Sequence, residues 1–185
     1  MAKGPMIIPN ADLLFARETL RDFIDAVALS RAIHAHERHG YALTIAQRCA
    51  FDRAVTAWAI LFGSDHEKHQ QLHWKHMFDV DAFRDGLLAA IGDTPDQWRD
   101  YWNAFLDYRN ELAAHQDLNP NAKVHPNLDK ALIAANFYAG RLEEKIRAET
   151  GIVAGIANLT EQYHDRYQLC LRQVDVMVEA LRLNE

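Results

Sequence analysis

Cysteine is scarce in this chain of 185 residues, with only Cys49 and Cys170, which stand far apart on separate helical patterns. Neither belongs to a close-spaced ligand or redox motif, so cysteine-based metal or redox chemistry is not expected and a reducing cytoplasm suits both. They read as buried small apolar groups. No apolar run approaches the roughly 18–20 residues that a membrane span requires, which excludes a membrane-spanning helix. The opening "MAKGPMIIPN" holds one lysine and a short apolar patch, so it does not read as a secretory signal. Its glycine and proline make residues 1–10 a flexible leader to a single domain over 11–185. An excess of positive charge is missing as well, since the formal net charge is -6. Proteins that coat nucleic acid nonspecifically carry a broad basic surface, because phosphate contacts dominate that affinity. A nucleic-acid role here must rest on a local site, or on a dimer cleft that concentrates a few arginines.

Strand-like alternation, internal repeats and low-complexity tracts are also lacking, and what remains is helical nearly throughout. Leu13, Leu20, Phe23, Ile24, Val27 and His34 recur at helical intervals, giving a long first helix that ends near Gly40. Phe51, Val55, Trp58 and Phe62 mark a second, stopping at "FGSD", and a third is expected from Glu67 to Phe78. Phe83, Leu87, Leu88 and Ile91 define a short one closed by Gly92. In "TPDQW", Thr94 caps the next helix, Pro95 fills its first turn and Gln97 completes a capping box. That helix carries Trp98, Tyr101, Trp102, Phe105, Tyr108 and Leu112 to a break at Asn119 and Pro120. Leu128, Leu132, Ala135, Ala139, Leu142 and Ile146 give another, ended by Gly151, and Tyr163 to Leu181 the last. "GIVAGIAN" between them fits a turn, a loose helix or a short buried segment. The expectation is an all-α bundle with antiparallel neighbours.

Within it, "YRNELAAHQD" places an arginine, an asparagine and a histidine at a helix end, residues 108 to 117. On a regular wheel the apolar stripe centres on Phe105 and Leu112, with Arg109 on one edge and His115 on the other. The two would lie ~9 Å apart along the axis and a third of a turn apart around it, too far to pair within one regular helix. Acting together they need a bend, or the same segment of a second subunit. Histidine moves protons near neutrality, and arginine offers a fork of donors matched to phosphate. RNA brings its own 2′-hydroxyl nucleophile, so Arg109, His115 and the Asn110 amide suffice in kind to cleave it without a metal. The plainer reading is that Arg and His in a last helical turn cap free carbonyls and complement the macrodipole.

The same stretch resembles the signature of HEPN domains: an arginine, then a polar residue, with a histidine a few positions on. Upstream, "AWAILFGSD" and "LHWKHMF" look like a segment of the AbiU-type abortive-infection group of HEPN-like proteins. The shared order is Trp58, then Phe62-Gly63-Ser64, then His73-Trp74-Lys75, then Arg109 to His115, within roughly residues 50–150. The resemblance implies an all-helical domain, a homodimer, no cofactor and, in active members, metal-independent endoribonuclease activity at a site formed where two motifs meet. Carried over, Arg109 binds the scissile phosphate, His115 moves the proton and Asn110 is their polar companion. The products are a 2′,3′-cyclic phosphate and a 5′-hydroxyl. Five residues separate Arg109 from His115 here, against four in the best-known active members. A cytoplasmic toxin with an antitoxin protein as partner is the corresponding biological expectation, and a noncatalytic HEPN-like binding module is the alternative.

"DHEKHQQLHWKHMF" offers a third class. His66, His69, His73 and His76 follow i, i+3, i+7, i+10 spacing and would share one stripe of a regular helix. His69 and His73 could share a divalent transition metal, although one stripe supplies about two ligands and the rest must come from elsewhere. A di-iron site fits less well, since only Glu161 and His164 form a Glu-x-x-His pair. His34, His36 and His39 read as an exposed helix end, and Trp98, Tyr101, Trp102 and Phe105 as core or dimer interface.

Overall fold

The computed structural model describes residues 10–36, 40–64, 71–114 and 125–182, and among them there are helices and no strand. Seven α-helices follow in order: α1 (Ala11–His34), α2 (Tyr41–Phe62), α3 (Trp74–Met77), α4 (Val80–Ile91), α5 (Pro95–Tyr108), α6 (Leu128–Thr150) and α7 (Leu159–Arg182). A π-helical turn, Arg109–Ala114, continues α5. The leader at residues 1–9 lies outside the described residues, and α1 starts where the Asn10 side chain accepts the Asp12 N–H at 3.2 Å.

Cross-helix bonds give the directions. Asp22 pairs with Arg53, and His34 lies beside Gln47, so α1 and α2 run antiparallel. Tyr108 reaches Asp52 while Trp102 reaches the Phe62 carbonyl, so α5 returns along α2. Gly86 and Phe83 meet Phe137, and Asp93 meets Lys130, so α4 and α6 are antiparallel as well. α7 lies along α1 in the same direction, with Arg166 paired to Asp25 and Asp175 beside His36. The result is an all-α bundle.

Its core is unusually aromatic at the level of α2, α4, α5 and α6. Trp58 stacks on Phe62 at 4.9 Å and tilts against Phe105 at 4.2 Å, while Phe83 is stacked between Trp74 and Phe78 at 5.0 and 4.9 Å. Such ring pairs add roughly 0.5–1.5 kcal/mol each beyond burial, and they fix the helices in register. The α5 aromatics belong to this core: Phe105 is fully buried, and Trp98, Tyr101 and Trp102 pack on it with one edge open.

Several local expectations hold in detail. The capping box forms both its bonds, with Gln97 N–H to Thr94 Oγ1 at 3.3 Å and Thr94 N–H to Gln97 Oε1 at 2.9 Å. Gly92 and Gly151 close α4 and α6 in the left-handed region, at φ 78° and 69°. "GIVAGIAN" is neither helix nor turn alone. It returns beside α6, held by the buried Glu143, whose two oxygens accept the N–H groups of Ala154 and Ile156 at 2.7 and 3.0 Å.

Four expectations need correction. The first helix stops at His34 rather than near Gly40. The expected helix from Glu67 to Phe78 shrinks, among the described residues, to the single turn Trp74–Met77, because His73 caps that turn instead of continuing a helix through it. α5 does not run on as a regular α-helix but passes into the π-helical turn at Arg109. Cys49 is exposed, on the same face of α2 as Ile45, Arg53 and Thr56, and Cys170 is half-buried beside Tyr167.

Candidate functional site

Arg109 opens the π-helical turn. The residue is half-buried, and its guanidinium makes no ion pair among the described residues and donates from Nη1 to the Asn110 Oδ1 at 2.8 Å. Asn110 is exposed. The structure thus brings Arg109 and Asn110 together, the amide orienting the cation. His115 lies outside the described residues, and so do His66, His69 and His39. A π-helical turn, with i→i+5 bonding, rotates each side chain away from its place on a regular wheel.

Immediately before Arg109, Tyr108 forms part of the wall of a cleft of about 640 Å³ between α1, α2 and the entry to α6. A volume of that size falls within the range of small-molecule sites. From α2, Thr44, Gln47, Arg48 and Phe51 line it, spaced i, i+3, i+4, i+7 and hence on one helical face. α1 adds Ser30, Arg31 and His34, and the segment before α6 adds His125 and Pro126. None of the described lining residues is a carboxylate, in a chain whose net charge is -6.

The two arginines differ. Arg31 is tied down, donating to Asp129 Oδ1 at 2.5 Å and to the Tyr163 hydroxyl at 3.1 Å. Burial works against its charge, but these bonds outweigh burial and raise its pKa above the ordinary arginine value. Arg48 is exposed, lines the cleft and has no carboxylate partner among the described residues. Beside it, Gln47 Nε2 lies 3.3 Å from His34 Nδ1; donation by that amide leaves the ring proton on Nε2.

At the other end of the cleft three rings meet. His125 stands edge-on to Phe51 at 4.8 Å and tilted over Tyr108 at 5.0 Å, and Phe51 meets Tyr108 at 5.3 Å. The Tyr108 hydroxyl donates to Asp52 Oδ1 at 2.8 Å. Burial, then that bond and the Asp52 charge, push its pKa well up, with Arg48 pulling the other way, so Tyr108 stays a neutral donor. The His125 segment is itself fixed, since Tyr101 donates to the Asn127 carbonyl at 2.7 Å and Asn127 caps α6. Sequence reading did not find this cleft. The polar-aromatic face of α2 was visible as spacing, but nothing local shows that α1 and the entry to α6 converge on it.

The histidine stripe is a different matter. His73 is buried, its Nδ1 accepts the Lys75 N–H at 3.3 Å, and its Nε2 donates to the Gly63 carbonyl at 3.0 Å. Both ring nitrogens are used in holding two chain turns together, which takes His73 out of a ligand set as it stands. His76 is exposed, and no group of three metal-ligating side chains occurs among the described residues. The Glu161 carboxylate accepts from Asn158 at the start of α7, and His164 is exposed.

No protein-family model, curated protein or solved structure matches the chain. Among the described residues, no helix is long and apolar enough to cross a membrane.

Proposed function

We propose that this chain is a HEPN-like helical protein of the bacterial abortive-infection or toxin type, acting on RNA as a cytoplasmic homodimer. In this reading Arg109 binds and stabilises the scissile phosphate, Asn110 orients it, and His115 transfers the proton. The RNA 2′-hydroxyl attacks the adjacent phosphorus, the 5′-oxygen leaves with a proton, and a 2′,3′-cyclic phosphate remains. No metal takes part. The observation that carries the reading is that Arg109, its guanidinium held by Asn110, is the chain neighbour of Tyr108, which lines a cleft with two arginines and no carboxylate among its described lining residues. Phosphate binding needs this kind of local concentration in an acidic chain. Leu169, Val176 and Met177 stand exposed on α7, which supports a second copy packing there. An antitoxin protein would act by competing for the cleft.

The test is RNA cleavage in excess EDTA by wild type, Arg109→Ala and His115→Ala, with oligomeric state measured for each. The expected result is cyclic-phosphate ends from wild type and a loss of roughly two or more orders of magnitude in each variant. Equal cleavage by all three would remove the catalytic assignment. One observation favours a second reading, that of a noncatalytic HEPN-like binding module: the cleft's cations and rings are in place without Arg109. Wild type that binds RNA and leaves it intact would decide for that reading.

A further inference from the structure

We infer that the cleft between α1, α2 and the entry to α6 is a nucleotide-binding pocket, taking the base at its ring end and the phosphate at Arg48 and His34. Its two ends differ in kind. Phe51, Tyr108 and His125 form an aromatic wall from three separate parts of the chain. One turn earlier on α2, about 5.4 Å along the axis, stand Arg48 and Gln47, with His34 opposite. A ribose separates a base from its phosphate by a comparable span. An aromatic anion of this shape satisfies both ends at once, whereas a simple anion uses one end and an apolar ligand leaves Arg48 unanswered.

Charge argues in the same direction. Of the two arginines among the described lining residues, Arg48 has no carboxylate partner within the described chain, whereas Arg31 is committed to Asp129 and Tyr163. The nearest carboxylate to the rings, Asp52, is occupied by the Tyr108 hydroxyl. Stacking on aromatic side chains tolerates any base, so the pocket selects a nucleotide unit rather than a sequence. We assign that unit to single-stranded RNA, on the reading of the previous section; the site itself does not depend on cleavage.

Calorimetric titration with adenosine 5′-monophosphate and uridine 5′-monophosphate tests this, alongside adenosine and inorganic phosphate. Wild type is expected to bind both nucleotides saturably and the two fragments roughly tenfold more weakly or worse. Arg48→Ala should weaken nucleotide binding roughly tenfold, and Phe51→Leu, which keeps apolar volume in case Phe51→Ala unfolds, should do so by a similar factor. Arg84→Ala, exposed on α4 away from the cleft, should change nothing. A single-stranded oligonucleotide that displaces the nucleotide, where its duplex does not, assigns the source to RNA; failure to displace it assigns a free nucleotide. Absence of saturable nucleotide binding, or binding indifferent to both Arg48→Ala and Phe51→Leu, overturns the pocket. Nucleotide binding with no cleavage in EDTA removes the catalytic reading and leaves the pocket. Cleavage lost in Arg109→Ala but without nucleotide binding does the reverse.

Discussion

Asp25 shows how a single side chain on α1 can work against the fold. Its carboxyl pKa is raised, chiefly by burial, with the Asp22 charge adding to the rise and Arg166 and Arg21 opposing it. A carboxyl whose pKa is higher folded than unfolded binds its proton more tightly in the native state. Its contribution is therefore fully present below the ordinary aspartate pKa and is lost as pH rises through the raised folded value. At neutral pH the charged form opposes folding despite the ion pair with Arg166 at 3.2 Å. Asp25→Asn should raise the melting temperature at pH 7, and the gain should close as pH falls below about 4. Thermal melts across pH 3–8 check this; a lower melting temperature at pH 7 would show that the Arg166 pair dominates. Asp25 is still open to solvent over half its side chain; a fully buried carboxylate behaves differently. Glu143 is satisfied by two backbone N–H groups, so Glu143→Ala should destabilise by about 2–4 kcal/mol, measured by urea unfolding.

The element that most departs from local pattern is the turn after α2. Gly63 ends that helix, and a methyl built there would run into the Ala59 carbonyl oxygen, a backbone atom that cannot move aside. The Gly63 carbonyl in turn accepts from the buried His73, which caps α3. Gly63→Ala should thus cost roughly 1–3 kcal/mol, and His73→Ala a similar amount. Unfolding curves for each and for the double variant check the pair, and full additivity would deny that the two residues act as one unit. Much at this scale was readable from sequence. Thr94, Pro95 and Gln97 specify a helix start by local bonds alone, and Gly92 and Gly151 specify helix ends by a conformation other residues resist. His73 was misread because helical spacing does not distinguish a residue within a helix from the one that caps it. The π-helical turn at Arg109 was hidden for a related reason: its backbone stays helical, with no local sequence signal that separates it from the α-helix before it. The cleft lay beyond local pattern altogether, since Arg31, Arg48 and His125 come from distant parts of the chain.

At the scale of the whole molecule, net charge limits how the proposed action on RNA could work. With a net charge of -6 it repels a polyanion at long range, so attraction needs a local site, such as the cleft at Arg48, whose described lining residues include no carboxylate. A protein that covers RNA broadly releases many counterions, whereas a local cleft engages few phosphates. The most direct measurement of this account is the affinity for a short single-stranded RNA as a function of salt, for wild type, Arg48→Ala and Arg109→Ala. Two or three phosphate contacts predict a slope of log affinity against log salt of about -1.4 to -2.1, shallower by about 0.7 in each variant. A steep slope left unchanged by both substitutions, or no binding at low salt, would contradict the account.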